Sequence, residues 1–120
     1  MEYKLLFNRL DNILKECDYD GWDGYNGDKV TKKVLEYTSE FIKTIPIEIE
    51  NPEIVPESDG CIGLNWDANK YMNISISIGT DGFIYYASII GENKIHGKYS
   101  IGIGITEDLL DIIKKVTKNK

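Results

Sequence analysis

The side chains best able to do chemistry lie close together near the N-terminus. Residues 18–28 read Asp18-Tyr19-Asp20-Gly21-Trp22-Asp23-Gly24-Tyr25-Asn26-Gly27-Asp28. Clustered carboxylates of this kind can hold a hard cation through oxygen ligands. An EF-hand register starting at Asp18 fails, with Trp22 at position 5, Asp23 in place of the glycine and Lys29 at position 12. Asp and Asn beside Gly also serve Asx turns, which need no metal. The loop is thus expected to be structural first, with Tyr19, Trp22 and Tyr25 as aromatic anchors folded against the body.

Nucleophilic chemistry finds little support. His96 is the only histidine, so a histidine metal cluster is excluded. It is expected in an exposed turn or strand start. Cys17 and Cys61 do not form a CxxC pair, and both are expected reduced and mostly buried. A Cys–His dyad would have to join distant segments. No G-x-S-x-G, Walker A or G-x-G-x-x-G motif occurs. Gly102-Ile103-Gly104 lacks a third glycine, and Glu107 and Asp108 after it would repel a phosphate. No cofactor and no catalytic residue are assigned.

Charge is the more informative signal. The 120 residues carry 20 acids against 14 Lys and Arg, a net charge of −6, which disfavours direct contact with nucleic-acid backbones. The acids are also unevenly placed. Five lie between Lys15 and Lys29, and six between Lys43 and Lys70, with no base in either stretch. If the two stretches meet in the fold, Asp18, Asp20, Asp23 and Asp28 would join Glu57 and Asp59 in one negative patch around Tyr19, Trp22 and Tyr25. Aromatic side chains within a charged rim suit protein recognition. The partner would carry a basic surface, such as the groove of a nucleic-acid-binding protein.

Three helices and four strands must position these residues. Tyr3, Leu6, Phe7, Leu10, Ile13, Leu14 and Cys17 recur at helical spacing and predict a helix over 2–17. A second is expected over 32–45, with Thr31 as its N-cap and Pro46 closing it. Its buried stripe is Val34, Leu35, Thr38, Phe41, Ile42 and Ile45. Residues 46–60 hold all three prolines and read as an extended connector with at most a short edge strand at Glu53–Val55. From Cys61 the period becomes two. Strands are expected at 61–66, 71–78, 83–90 and 99–105, joined by turns at 67–70, 79–82 and 91–94. Thr106 caps a last helix over 107–117, with acids in its first turn and lysines in its last. The expected fold is a single α+β domain. It has two layers: a four-stranded antiparallel meander, with two N-terminal helices and one C-terminal helix on one face. The polar face of the sheet would stay open to water, or serve in a homodimer.

The N-terminus lacks the ~7–15-residue apolar core of a signal peptide, and no run reaches the ~18 residues of a membrane span. A cytoplasmic protein is expected, with no membrane partner.

Two segments carry a resemblance. One is Gly21-Trp22-Asp23-Gly24-Tyr25, followed by a Thr-capped helix ending at Pro46. The other runs from Pro56-Glu57-Ser58-Asp59-Gly60 through Ile62 and Leu64 to Trp66, a Pro-x-x-Asp-Gly-x-Ile-x-Leu-x-Trp pattern. Over roughly residues 20–90 they resemble a group of short, uncharacterised bacterial and phage-encoded proteins. Asn26 stands where that group tends to have Gly, and Lys32 where Pro often follows the cap. No established activity comes with the group, so the resemblance implies only a small accessory gene of bacteria or their mobile elements.

Together these readings lead to an expected non-catalytic, acidic protein-binding module, of inhibitor, antitoxin or anti-defence type. One alternative is a small-ligand or metal-binding protein, including a hydrolase, using carboxylates of the 18–28 loop and of 57–59. The other is a structural or oligomerisation module.

Overall fold

The computed structural model describes residues 1–120. Helix α1 (Tyr3–Cys17) and helix α2 (Lys32–Lys43) precede the strands β1 (Glu53–Pro56), β2 (Ile62–Asn69), β3 (Met72–Ile78), β4 (Phe83–Ile90) and β5 (Asn93–Ser100). A 3-10 turn at Ile101–Ile103 then leads into helix α3 (Glu107–Lys118). The fold is α+β. All five strands pair antiparallel in chain order, so the sheet is a simple meander.

The sheet has five strands rather than the expected four. Glu53–Pro56 is a true edge strand, with Ile54 opposite Leu64. The last strand also lies earlier than the alternation at 99–105 suggested. It starts at Asn93, directly after a tight Gly91-Glu92 turn, and stops at Ser100. Gly104 takes a φ of 76°, outside the strand region, and the Ile101–Ile103 backbone coils before it. Strand β2 continues through the expected 67–70 turn to Asn69, by way of a bulge between Asp67 and Asn69.

Both threonine caps form as expected: Thr31 Oγ1 accepts from the Val34 amide at 3.4 Å, and Thr106 Oγ1 from the Leu109 amide at 3.3 Å. Helix α2 ends at Lys43, before Pro46. Thr44 terminates it by donating to the Phe41 carbonyl at 2.7 Å. The same Thr44 oxygen accepts the Ile105 amide at 2.9 Å, tying the end of α2 to the segment before α3. A Cβ at Gly104 would come within 2.9 Å of Thr44. Close approach accounts for this glycine, and no phosphate need be invoked.

The core lies between the helices and one face of the sheet. Ile54, Ile62, Leu64, Trp66, Ile74, Ile76, Ile78 and Ile84 come from the strands. Leu6, Leu10 and Ile13 of α1, Val34, Phe41 and Ile42 of α2, and Leu109, Ile113 and Val116 of α3 meet them. Trp66 is fully buried, and its indole N–H donates to the Glu50 carbonyl at 2.8 Å, so the one polar group of this side chain is satisfied. Removing such apolar surface from water contributes roughly 1.5–3 kcal/mol per large side chain. No helix is long and apolar enough to cross a membrane.

Candidate functional site: an acidic cleft between two loops

The two base-free acidic stretches meet. The Asp28 amide donates to the Ser58 carbonyl at 2.7 Å, docking the 18–28 loop on the turn between β1 and β2. The Val30 amide, bonded to the Cys17 carbonyl at 2.8 Å, holds the base of the loop against the end of α1. Gly60 makes the docking possible. Its φ is +83°, and a Cβ there would stand 2.9 Å from the Lys29 carbonyl oxygen.

The junction leaves a cleft of about 460 Å³ that also reaches the β3–β4 turn. Asp20, Asp28, Asp59 and Asp81 face it, with Lys29 as its only base. The protein has two ion pairs, Lys43–Glu40 and Lys120–Glu50, and neither involves a cleft carboxylate. No cleft carboxylate is therefore held in a close ion pair, although the nearby charge of Lys98 acts on Asp81. Tyr85 forms one wall and donates its hydroxyl to Asp81. That bond is the main reason the Asp81 carboxyl titrates below its usual range.

The predicted site residues divide by what they hold. One Asp23 oxygen accepts the amides of Tyr25 and Gly27, at 2.9 and 3.0 Å. Asp20 accepts the Lys29 amide at 3.1 Å, and Asp59 the Cys61 amide at 3.1 Å. These three carboxylates organise the loops, as Asx geometry allows. The side chains of Asp18 and Asp28 are exposed and free of such duty. The three loop aromatics do not all fold back as expected. Trp22 does: it packs against the core and donates its indole N–H to the Asp28 carbonyl at 2.6 Å. Tyr19 and Tyr25 stay in solvent, 56% and 85% exposed.

Glu57 does not line the cleft; its carboxyl lies on the outer sheet face over Gly63, which leaves room for it. Its Oε1 atom is buried without a hydrogen-bond partner. Burial raises the Glu57 pKa and Asp59 adds to the rise, while a hydroxyl contact from Ser77 opposes it. Sequence reasoning grouped Glu57 with the surface acids. The tertiary signal it lacked is the glycine in β2 beneath this carboxyl.

Cys61 is half-buried beside Gly79. Burial, with a hydrogen bond and charge from Asp59 and further acids nearby, pushes its thiol up to about 12. It is therefore held protonated, the opposite of an activated nucleophile. Cys17 is buried at the end of α1, and His96 is exposed in β5, far along the chain from both thiols. No three His, Cys, Asp or Glu side chains converge in a geometry that could hold a metal ion. Asp81 and Tyr85 are among the cleft residues that sequence reasoning missed, because only the sheet brings the β3–β4 turn beside the two acidic loops. No family model, curated protein or solved structure matches the chain.

Proposed function

We propose that this protein is a non-catalytic acidic binding module that captures a basic surface on another protein, in the manner of an inhibitor, an antitoxin or an anti-defence factor. The supporting observation is the junction sealed by Asp28 and Ser58, which gathers Asp20, Asp28, Asp59 and Asp81 around one cleft with no ion-paired lysine. Carboxylates arranged in this way steer a cationic partner and set its orientation. Exposed Tyr25, beside the cleft loop, offers the amphipathic ring that anchors such contacts. The partner is a protein with a basic face, and a nucleic-acid-binding protein fits that description.

The test turns on which acids are changed. Reversing Asp20 or Asp23 would break the loop itself. Asp18→Lys with Asp28→Lys changes the charge and spares the internal hydrogen bonds. Wild type and this double variant are immobilised and exposed to source-cell lysate at low and high salt. Under the proposal, one basic protein is retained by wild type at low salt, lost at high salt and lost on the variant. Equal retention by a correctly folded variant, or no retained protein, rejects the proposal.

A further inference from the structure

The two ends of the sheet are finished differently. At one end β1 is only four residues long and ends at Pro56. Arg9 of α1 donates its Nε–H to the Ile54 carbonyl at 3.2 Å, so the outer edge of β1 is occupied. Short, proline-bounded and covered edges resist further pairing. At the other end β5 runs eight residues with β4 as its sole neighbour.

The free backbone groups on β5 can be identified. The Ile101 amide donates to the Gly82 carbonyl at 2.9 Å, one step beyond the Phe83–Ser100 pair. Antiparallel pairs alternate between hydrogen-bonded and non-bonded. Asn93, Ile95, Gly97 and Tyr99 therefore turn their N–H and C=O groups toward β4. Lys94, His96, Lys98 and Ser100 turn theirs outward. None of these four takes part in any backbone hydrogen bond outside the ladders.

The side chains along this edge have a pattern of their own. Lys94, His96 and Lys98 share the outer face, forming a basic row in an otherwise acidic protein. Lys98 rests over the rings of Phe83 and Tyr85, at 5.2 and 6.0 Å. On the inner face Ile95 is 39% exposed, because the helical layer stops short of β5. Between β5 and α3 runs a groove of about 340 Å³, with Tyr86, Ile95, Leu109 and Ile112 as its apolar part and Asp108, Asp111 and Lys115 of α3 completing its lining.

We propose that β5 is a docking edge for an extended segment of a partner protein in which acidic and apolar residues alternate. The segment adds as a sixth strand, completing the outward main-chain groups. Its acidic side chains lie beside Lys94, His96 and Lys98, within cross-strand reach of ~4.5–5.5 Å. Its apolar side chains enter the groove against Ile95 and Ile112. Main-chain pairing supplies affinity and the alternating side chains supply selectivity. A second copy of this chain is a poorer occupant. Two-fold pairing of β5 with itself about His96 sets Lys94 against Lys98, and pairing about Lys94 or Lys98 sets a lysine against its own copy; like charges directly opposite destabilise. The basic row thus repels its own copy and favours an acidic strand. Lys98 adjoins the acidic cleft through Tyr85, but the outward main-chain groups of β5 and the groove against α3 lie outside that cleft, so the proposal does not rest on the function proposed above.

The probe is a labelled eight-residue peptide alternating Glu and Val, compared by fluorescence anisotropy with a peptide of the same composition in two blocks. The alternating peptide is expected to bind roughly tenfold more tightly, as mismatching several cross-strand side-chain pairs in the blocked peptide implies. His96→Pro removes one outward N–H without touching the β4 ladder and is expected to weaken binding to a similar extent. Lys94→Glu with Lys98→Glu should shift the preference to an alternating Lys/Val peptide, and this decides the matter if the proline variant unfolds. Equal affinity for both peptides, no binding of either, or indifference to the Lys94/Lys98 reversal overturns the proposal. So does a concentration-dependent dimer abolished by His96→Pro, which would give the edge to a second copy.

Discussion

Gly60 faces the backbone carbonyl of Lys29 so closely that a Cβ would stand 2.9 Å from its oxygen. The neighbour is main chain, which cannot swing aside as a flexible side chain can. Gly60 also holds a φ of +83°, in the region that L side chains rarely adopt. Two costs therefore coincide at the junction of the acidic loops. Gly60→Ala is expected to destabilise the fold by about 2–4 kcal/mol, combining left-handed strain with overpacking. Urea unfolding measures the loss, and amide exchange at Asp28 reports whether the loops have parted. A variant as stable as wild type, with Asp28 still protected, would contradict this account.

Glu57 gives the fold a pH dependence of defined sign. Its folded pKa lies above the ordinary 4.5, mainly through burial, so the native state holds the proton more tightly than the unfolded chain. Its burial penalty is absent well below 4.5 and fully present above the folded value. Glu57→Gln is therefore expected to be more stable than wild type near neutrality. The advantage should vanish at about pH 4, as wild-type Glu57 takes up its proton. Paired urea titrations at the two pH values read the difference directly. An advantage that persists unchanged in acid would show that charge burial is not its source.

Cys61 is half-buried, yet its thiol is held up to about 12. The thiolate is the reactive form, so alkylation by iodoacetamide under mildly alkaline native conditions should be slow at Cys61. Asp59→Asn keeps an oxygen that can accept the Cys61 amide and removes the nearby negative charge. It is expected to speed Cys61 alkylation severalfold, while Cys17, buried in α1, stays protected. Peptide mass spectrometry after timed quenching distinguishes the two sites. Rapid labelling of wild-type Cys61 would refute the assignment.

Local pattern made much of the scaffold legible. The stripe Val34, Leu35, Thr38, Phe41, Ile42 and Ile45 is buried throughout, because helical spacing alone decides which residues share a face. Thr31 and Thr106 cap their helices because a hydroxyl at that position meets an orphan amide whatever the rest of the fold does. The alternation of Ile74, Ile76 and Ile78 with Ser75 and Ser77 survives as the buried and outer faces of β3. The last strand was less legible. Asn93–Ser100 has weak strand composition and is held by its hairpin with β4, whereas the well-alternating Ile101, Ile103 and Ile105 lie outside the sheet.

What the sequence determined by itself was therefore whatever depends on near neighbours: helix faces, caps, the strand period and the two base-free acidic stretches. The tertiary structure decided whether those stretches meet, which carboxylates hold amides and which stay free. It also decided that Trp22 turns in while Tyr25 stays out, that Asp81 and Tyr85 join the cleft, and that β5 keeps an open edge. The physical reason is common to all of these. Hydrogen bonds such as Asp28 to Ser58, and close approaches such as Gly60 to Lys29, join segments far apart in the chain, and no local periodicity encodes such a contact.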